Sequence, residues 1–564
     1  MSKVTTKISP ISNLPLILPT VLLTASLELI IYNILKIAIN NYDLLKYPLG
    51  LTQELPPSYW ISEVILILSM IFTIRNYKLM SKRQYSILYG IQFVLIMFNT
   101  YFVFYFINPV FILSRDELGH SSEVILLLIK HTTLLNPATY QAYYPFGFIY
   151  GAYAFIFSGL TPLEYFIYLG PMIYPIFQFI IGYEVIRQFL SSPMSEIGGL
   201  VLILSSMPFY VAEWSPQLMS YNLLLPIFLL FALIVKRGGF RFIPLLIVLS
   251  ALTGLTDIAT FASAITIDIA TLVFIKKIGK FNIRYIGYTA LLTAMVYVYW
   301  TFFNPLASGA LGGDHFLLNN LINVIESIFL PQATKNLVLP TSKLVYTFIP
   351  PSPYHFVSVA SKLLQGLIFL SMPLMIFLYK LIRKRTNSEL WLLFVLGSSL
   401  ILMQSIVGLT NNVSNVLTRM IPQAMVFYTV ILVLSLANRK TLSLIFMIFL
   451  ILDIPLSVLG YAMIATSEHS PPAAFYGGAL LGKYGIPSVS TYEFCEVVNE
   501  YHGQMVPPYN LLPKDIEYTG PYIATLIYYF SGPTVNSYEK YYNSVIQNKS
   551  IILNSGEMIV ALKY

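Results

Sequence analysis

The sequence predicts an all-α polytopic membrane protein with about thirteen transmembrane helices and a small α+β domain at the C-terminal end. Hydrophobic residues make up 57% of the chain and charged residues only 10%, and the mean hydropathy is +0.72. These values lie far from those of soluble globular proteins. Apolar runs of about 20 residues, which is the length that crosses roughly 30 Å of hydrocarbon, recur along most of the chain.

The apolar runs and the basic residues together predict the orientation. Spans are predicted at 14–37, 59–75, 86–112, 163–186, 197–212, 218–235, 242–255, 257–275, 284–303, 363–382, 388–408, 419–437 and 441–462. The basic clusters between them, such as those at 75–83, 236–241 and 380–385, then share one side, which the positive-inside rule identifies as cytoplasmic. This placement accounts for the net charge of +8 without a nucleic-acid partner.

The predicted orientation holds only if one short apolar run does not cross the membrane. Phe146 to Leu160 is short for a span and is interrupted by Gly147, Gly151 and Gly159. If the run crossed, every later basic cluster would lie outside. We therefore predict a re-entrant or juxtamembrane helix, with thirteen crossings, a cytoplasmic N-terminus and an external C-terminus.

The predicted crossings divide the chain into three parts in a multi-pass protein of the cell membrane. The parts are an N-terminal transmembrane hairpin (1–85), a main bundle (86–462) with outer loops at 113–145 and 304–362, and an extracytoplasmic domain (463–564). In the last part the alternating stretches Ile551–Leu553 and Met558–Leu562 flank Asn554-Ser555-Gly556, which is typical of a β-hairpin turn. The single cysteine, Cys495, excludes an internal disulfide bond.

The first large outer loop carries the most informative motif, RDELGH, from Arg115 to His120. On a helix, Asp116, His120 and Glu123 would share a face, with Glu117 one step round. A carboxylate at a membrane surface beside a basic residue is suited to accept a proton from a hydroxyl. The residues alone fit equally well a helix cap at Asp116 and a headgroup contact at Arg115.

The order of three motifs resembles the GT-C superfamily of glycosyltransferases, which use polyprenyl-phosphate sugars. Its members include protein O-mannosyltransferases and lipid aminoarabinose transferases. The matching elements are Asp116-Glu117 with His120, then Tyr144-Pro145-Phe146-Gly147, then Pro208-Phe209-Tyr210 followed by Glu213, Trp214 and Gln217. The resemblance covers about residues 86 to 460. The chain departs from the family in two ways. Two spans precede the span that leads to the acidic loop, where many members have one. The tail lacks the WWDYG-type motif of oligosaccharyltransferases.

This resemblance implies inverting sugar transfer from a dolichyl or similar polyprenyl phosphate to a hydroxyl of a lipid, glycan or protein acceptor. Asp116 would be the base, Glu117 the second choice, and His120 would orient the reacting groups. Arg419, at the outer start of its span, would stabilise the leaving phosphate, although a snorkelling interfacial arginine is an equally good interpretation. Arg115, Tyr144, Glu213, Gln217 and Asp257 would contact substrate, although a turn or helix cap is the better interpretation of Asp257. We expect no cofactor and no obligatory metal.

A different class of function remains open from the residues. Glu63, Asp257, Asp268 and Asp453 could serve as relays in a transporter or flippase for a polyprenyl-linked or small hydrophilic substrate. An acyltransferase, a phosphotransferase or a glycan polymerase of similar topology is a third class. The long outer loops and the tail favour the glycosyltransferase. The Ile-, Tyr- and Lys-rich composition with one cysteine indicates an archaeal thermophile as the source.

Overall fold

The helices and strands of the protein are seen in a computed structural model. It describes residues 14–39, 55–101, 145–160, 169–205, 216–237, 240–256, 258–274, 367–411, 413–436, 488–489, 522–526, 550–554 and 558–562, with 124, 165, 287, 290–292, 294–295, 364–365, 448, 451 and 453. Within these residues the chain is mainly helical, and the strands all lie beyond residue 487.

Three helices at the N-terminal end pack against one another. They are α1 (Leu14–Ile39), α2 (Pro57–Arg75) and α3 (Lys82–Tyr101), with α2 in contact with both others. Pro19 lies inside α1 and has no N–H with which to reach the carbonyl of Pro15. Asn76, at the end of α2, donates its Nδ2 to that carbonyl at 3.3 Å. A break in the backbone hydrogen bonding of α1 is thus repaired by a side chain of α2.

The middle of the chain forms short-linked helical pairs. These helices are α4 (Pro145–Ser158), α5 (Gly170–Phe189), α6 (Met194–Ser205), α7 (Pro216–Arg237), α8 (Ile243–Gly254) and α9 (Ile258–Val273). A turn of only a few residues reverses the chain between α5 and α6, and a 3-10 turn at Phe240–Phe242 precedes α8. The helix α7 packs against α5, α8 and α9.

The last helical group completes the bundle. A π-helical turn at Leu367–Ser371 leads into α10 (Met372–Ile382), which is followed by α11 (Ser388–Asn411) and α12 (Val413–Leu436). The helix α12 also contacts α5, α6 and α10. One continuous main core joins this group to α1–α3, with buried members such as Leu66, Phe179, Leu393 and Ile431.

Large apolar side chains also cover much of the outer surface of the helices. On α1 the exposed fractions of Val21 and Leu35 are 57% and 61%, and on α5 that of Ile180 is 52%. A soluble protein rarely exposes such continuous apolar surface, whereas a helix facing lipid requires it. Within the described residues, Pro15–Lys36 and Pro57–Arg75 are long and apolar enough to cross a membrane. We therefore treat the chain as a membrane protein.

A four-stranded sheet occupies the C-terminal part. Its strands are β1 (Ser488–Val489), β2 (Tyr522–Leu526), β3 (Ser550–Asn554) and β4 (Met558–Leu562), in the order β1-β2-β4-β3. The pairing of β3 with β4 is antiparallel, so the predicted hairpin around Asn554-Ser555-Gly556 is confirmed. The β1–β2 pair is parallel. The α+β character of the whole segment stays a prediction.

The predicted spans agree with the helices wherever the structure describes them, with shifted ends. The span predicted at 86–112 corresponds to a helix that begins at Lys82, and that at 163–186 corresponds to Gly170–Phe189. The predicted spans 284–303 and 441–462 lie largely outside the described residues. The count of thirteen and the domain limits at 85 and 462 accordingly stay predictions.

Candidate active site

Most of the predicted site residues lie outside the described part of the chain. This group comprises Arg115, Asp116, Glu117, His120, Tyr144, Glu213 and Asp257. For Gln217 and Arg419 the structure describes only the backbone, which lies in the first two turns of α7 and α12 respectively. What the structure does show is how the elements next to these residues are held.

A second buried cluster, separate from the main core, lies at one end of the bundle. We call it the aromatic cluster, and its buried members are Val124, Phe148, Ala152, Tyr165, Tyr174, Met219 and Tyr221. Tyr174 is in the second turn of α5, and Met219 and Tyr221 are near the start of α7. The starts of α5 and α7 therefore share one end of the bundle, as the predicted topology requires.

The aromatic cluster contains a residue from within the outer loop 113–145 and residues that directly follow the loop. Val124, four residues after His120, is completely buried in it. Phe148 and Ala152, just after the Tyr144-Pro145 element, are buried in the same cluster from α4. Met219 belongs to it as well, two residues after Gln217. Three segments that the sequence connects with the site thus converge on one core.

A backbone hydrogen bond brings a fourth segment to the same place. The N–H of Phe146 donates to the carbonyl of Leu255 at 3.1 Å. Leu255 ends α8 and precedes Asp257 by two residues. The start of α4 therefore lies against the end of α8, although about a hundred residues separate them along the chain.

The helix α4 is anchored at this end alone among the described residues. Its buried residues belong to the aromatic cluster, and it supplies none to the main core. Its 14 residues extend for about 21 Å, less than the roughly 30 Å of a bilayer core. The opposite face exposes Tyr153 and Phe157, whose rings are stacked 6.2 Å apart. These features fit a helix that enters the membrane without crossing, which stays a prediction because the side of the membrane is not defined.

The buried carboxyl groups have hydrogen-bond partners that the sequence did not predict. Glu63 and Asp453 were recognised as intramembrane acids, but their neighbours were not. Asn99 donates to Glu63 from α3, and Gln365 donates its Nε2 to Asp453 Oδ1 at 3.0 Å. Amide side chains within predicted spans were the available signal. In the described residues no group of three or more His, Cys, Asp or Glu is placed to hold a metal ion.

The chain resembles solved structures but no known sequence family. No family model matches the chain, and no curated protein matches it in sequence. Among solved structures it is similar to ArnT from Cupriavidus metallidurans bound to undecaprenyl phosphate, with a TM-score of 0.41 and 11% identity over 86% of this chain and 98% of that one. A likeness of this size does not establish a shared fold or activity. The function proposed below is therefore inferred from the residues and their arrangement.

Proposed function

We propose that the protein is a GT-C type glycosyltransferase that moves a sugar from a polyprenyl (dolichyl) phosphate to an acceptor hydroxyl at the outer membrane face. The observation that carries this proposal is the convergence around the aromatic cluster. Val124, Phe148 and Met219 tie together the segments of the acidic loop, the Tyr-Pro element and the start of α7. The hydrogen bond between Phe146 and Leu255 brings the end of α8 to the same place, two residues before Asp257 in the sequence. A single site needs such convergence.

The proposed reaction is a one-step displacement with inversion. The acceptor oxygen forms a bond to the anomeric carbon, and its proton passes to the Asp116 carboxylate. The bond between the anomeric carbon and the phosphate oxygen breaks, and the lipid phosphate leaves with the electron pair. His120 orients the acceptor, and Glu117 takes the role of base if Asp116 does not. Negative charge grows on the departing phosphate, where Arg419 stabilises it.

The acceptor side is tested with the Asp116→Asn variant. The aspartate and asparagine side chains are isosteric, so we expect the fold to be kept. Turnover of a dolichyl-phosphate sugar by the reconstituted protein should fall about 10²–10⁴-fold, the usual contribution of a general base. Binding of the lipid donor should remain, because the carboxylate contacts the acceptor. Near-normal turnover would transfer the base to Glu117, and full activity of Asp116→Asn/Glu117→Gln would contradict the mechanism.

The donor side is tested with Arg419→Ala. The guanidinium is proposed to contact the phosphate in the ground state and the transition state alike, so donor binding and turnover should both weaken. The matched control is Arg385→Ala, which also removes one positive charge. Arg385 precedes the start of α11 and so lies at the end of the α11–α12 pair opposite to Arg419. Equal donor binding by both variants would remove Arg419 from the site.

The convergence itself is tested on α4. Phe148 is completely buried in the aromatic cluster, whereas 82% of Phe157 is exposed. Phe148→Ala leaves a cavity in the aromatic cluster and should lower turnover more than it lowers donor binding, because the geometry of the reacting groups is lost. Phe157→Ala should leave turnover unchanged. If both variants keep normal turnover, the cluster does not position the site.

The transporter hypothesis has less support. Glu63 bonds with Asn99, and Asp453 with Gln365, so these two carboxyl groups have different partners rather than a shared path. Substrate movement across proteoliposomes without release of sugar from the donor would favour transport over transfer.

A further inference from the structure

The three N-terminal helices enclose a chain of buried polar side chains that the proposed sugar transfer does not use. Gln92 of α3 donates its Nε2 to Ser69 Oγ at 2.7 Å and to Thr73 Oγ1 at 2.9 Å on α2. Ser69 donates to the carbonyl of Pro19 on α1 at 2.6 Å, and Ser26 donates to the carbonyl of Ser62 at 2.9 Å. Such bonds hold helices together where no water is present.

At one end of this polar chain lies a carboxyl group, Glu63, of which only 1% is exposed. Its Oε1 accepts a hydrogen bond from Asn99 Nδ2, and no donor meets its buried Oε2 with hydrogen-bonding geometry, although the hydroxyl of Tyr59 lies near the carboxyl group. Tyr59, one turn before Glu63 on α2, donates its hydroxyl to the carbonyl of Asn99 at 3.0 Å. Glu63 is the seventh residue of α2, about 9 Å below the start of the helix.

Two more unpartnered polar atoms are buried at the same end of the three helices. They are Asn33 Nδ2, near the end of α1, and Thr100 Oγ1, near the end of α3. Asn33 is joined to α2 because Ser58 donates to its Oδ1 at 2.5 Å. Each of the three helices thus contributes a buried polar atom that lacks a partner in the described structure. Glu63 Oε2 and Thr100 Oγ1 have lone pairs that can face a cation, whereas the amide nitrogen of Asn33 only donates. Buried oxygens without a partner raise the free energy of the fold unless a ligand meets them.

No basic side chain described on these helices is placed to neutralise Glu63. On α1, the titratable residues Glu28, Tyr32 and Lys36 are exposed, and the Lys36 ammonium lies over the ring of Tyr32, 5.8 Å from its centroid. On α3, Tyr85 and Tyr89 lie toward the other end, where the hydroxyl of Tyr89 donates to the carbonyl of Glu196. On α2 itself, Tyr59 is the titratable neighbour, and Arg75 ends the helix far from Glu63.

A carboxylate without a countercharge is very costly at this depth, so its charge has to be cancelled. We propose that Glu63 is the centre of a binding site for a small monovalent cation, H⁺ or Na⁺, between α1, α2 and α3. Either cation neutralises the carboxylate. A proton would occupy the free Oε2, and a sodium ion would draw on it as an oxygen ligand. Occupancy stabilises the contact of α2 with α3, since it removes the charge from the Glu63–Asn99 pair.

The test uses the full chain in lipid nanodiscs and dicyclohexylcarbodiimide, an apolar reagent that modifies protonated carboxyl groups in membranes. We expect an adduct on the tryptic peptide that contains Glu63, measured by mass spectrometry. If the cation is a proton, the labelling should not depend on salt. Once the pH is high enough to ionise the group, the labelling should decrease about tenfold for each further pH unit. For sodium, NaCl should suppress the labelling and choline chloride should not.

Two variants separate this site from a purely structural hydrogen bond. Glu63→Gln keeps an acceptor for Asn99, so it should remain folded but carry no adduct and no cation response. Glu28→Gln, on the exposed face of α1, should leave labelling of Glu63 unchanged. Raising the pH in sodium-free buffer should lower the Tm of the wild-type protein more than that of Glu63→Gln, because only the former gains a buried charge. Unlabelled Glu63 in the folded wild-type protein, or identical Tm responses to pH and sodium, would overturn the proposal.

Discussion

The helix group α1–α3 and the helix pair α11–α12 pack in opposite ways. In α1–α3 apolar contacts such as that of Leu66 are accompanied by many polar ones, with Gln92, Ser69, Thr73, Asn99 and Glu63 all buried. In α11–α12 the contacts are mostly apolar, with buried Leu393, Leu396 and Leu400 on one helix and Val426, Val430 and Val433 on the other.

The close approach of α11 and α12 depends on a glycine. A Cβ atom added at Gly397 would lie 2.5 Å from Cε1 of Tyr428 and 2.7 Å from its Cδ1. Small residues let transmembrane helices approach closely, and dispersion contacts then replace the hydrophobic effect, which is weak within lipid. Ser398 Oγ and the hydroxyl of Tyr428 form a side-chain hydrogen bond between the two helices, at 2.9 Å.

The two regions therefore respond to different changes. Packing by shape in α11–α12 is sensitive to added volume and indifferent to pH or ions. Packing by hydrogen bonds in α1–α3 is sensitive to the loss of single polar atoms, and it contains a carboxyl group whose charge state can change. Only the hydrogen-bonded packing of α1–α3 can respond to the pH or the ions of the aqueous phase.

The largest expected effect is an increase in volume at Gly397. Gly397→Leu forces the side chain into the ring of Tyr428 and should lower the free energy of unfolding by about 3 kcal/mol, the upper part of the range for overpacked cores. Thermal unfolding in detergent measures it. Gly90→Leu on α3 is the matched control, because no atom lies within 4 Å of the added Cβ. If the two variants unfold alike, the contact of Gly397 with Tyr428 does not hold α11 and α12 together.

A smaller but clear loss is expected for Ser69→Ala. Ser69 is completely buried, donates to Pro19 and accepts from Gln92. Its removal should lower the free energy of unfolding by about 1–2 kcal/mol, since both hydrogen bonds are lost and the Nε2 of Gln92 keeps only Thr73. A double-mutant cycle with Gln92→Leu isolates the Ser69–Gln92 bond. A coupling energy of zero would show that the two side chains act independently.

The sequence predicted the helices well and their contacts poorly. Apolar length alone predicted α1 at 14–37 and α2 at 59–75, close to Leu14–Ile39 and Pro57–Arg75. It did not predict which face of α2 meets α3, because nearly every residue of such a helix is apolar and the periodicity that marks a buried face in soluble proteins is weak. The bond between Glu63 and Asn99 depends on that rotation.

For the candidate site the limit is of the same kind. The order of motifs suggested one outer site, but nothing in the sequence connects Phe146 with Leu255 or Val124 with Met219. These contacts join residues about a hundred positions apart and arise from helix packing. The roles of Asp116, Glu117, His120 and Arg419 stay predictions, since their side chains lie outside the described residues.

The smallest expected effect makes the comparison sharpest, because it repeats the same substitution in the apolar pair. Ser398→Ala removes a part-buried hydroxyl with a single partner, Tyr428, whereas Ser69→Ala removes a fully buried one with two. We expect Ser398→Ala to lower the free energy of unfolding by only about 0.5 kcal/mol, the typical value for one hydrogen bond between membrane helices. Both variants are compared by urea or thermal unfolding in the same detergent. A loss for Ser398→Ala as large as that for Ser69→Ala would mean that α11–α12 also depends on hydrogen bonding, and the contrast between the two regions would disappear.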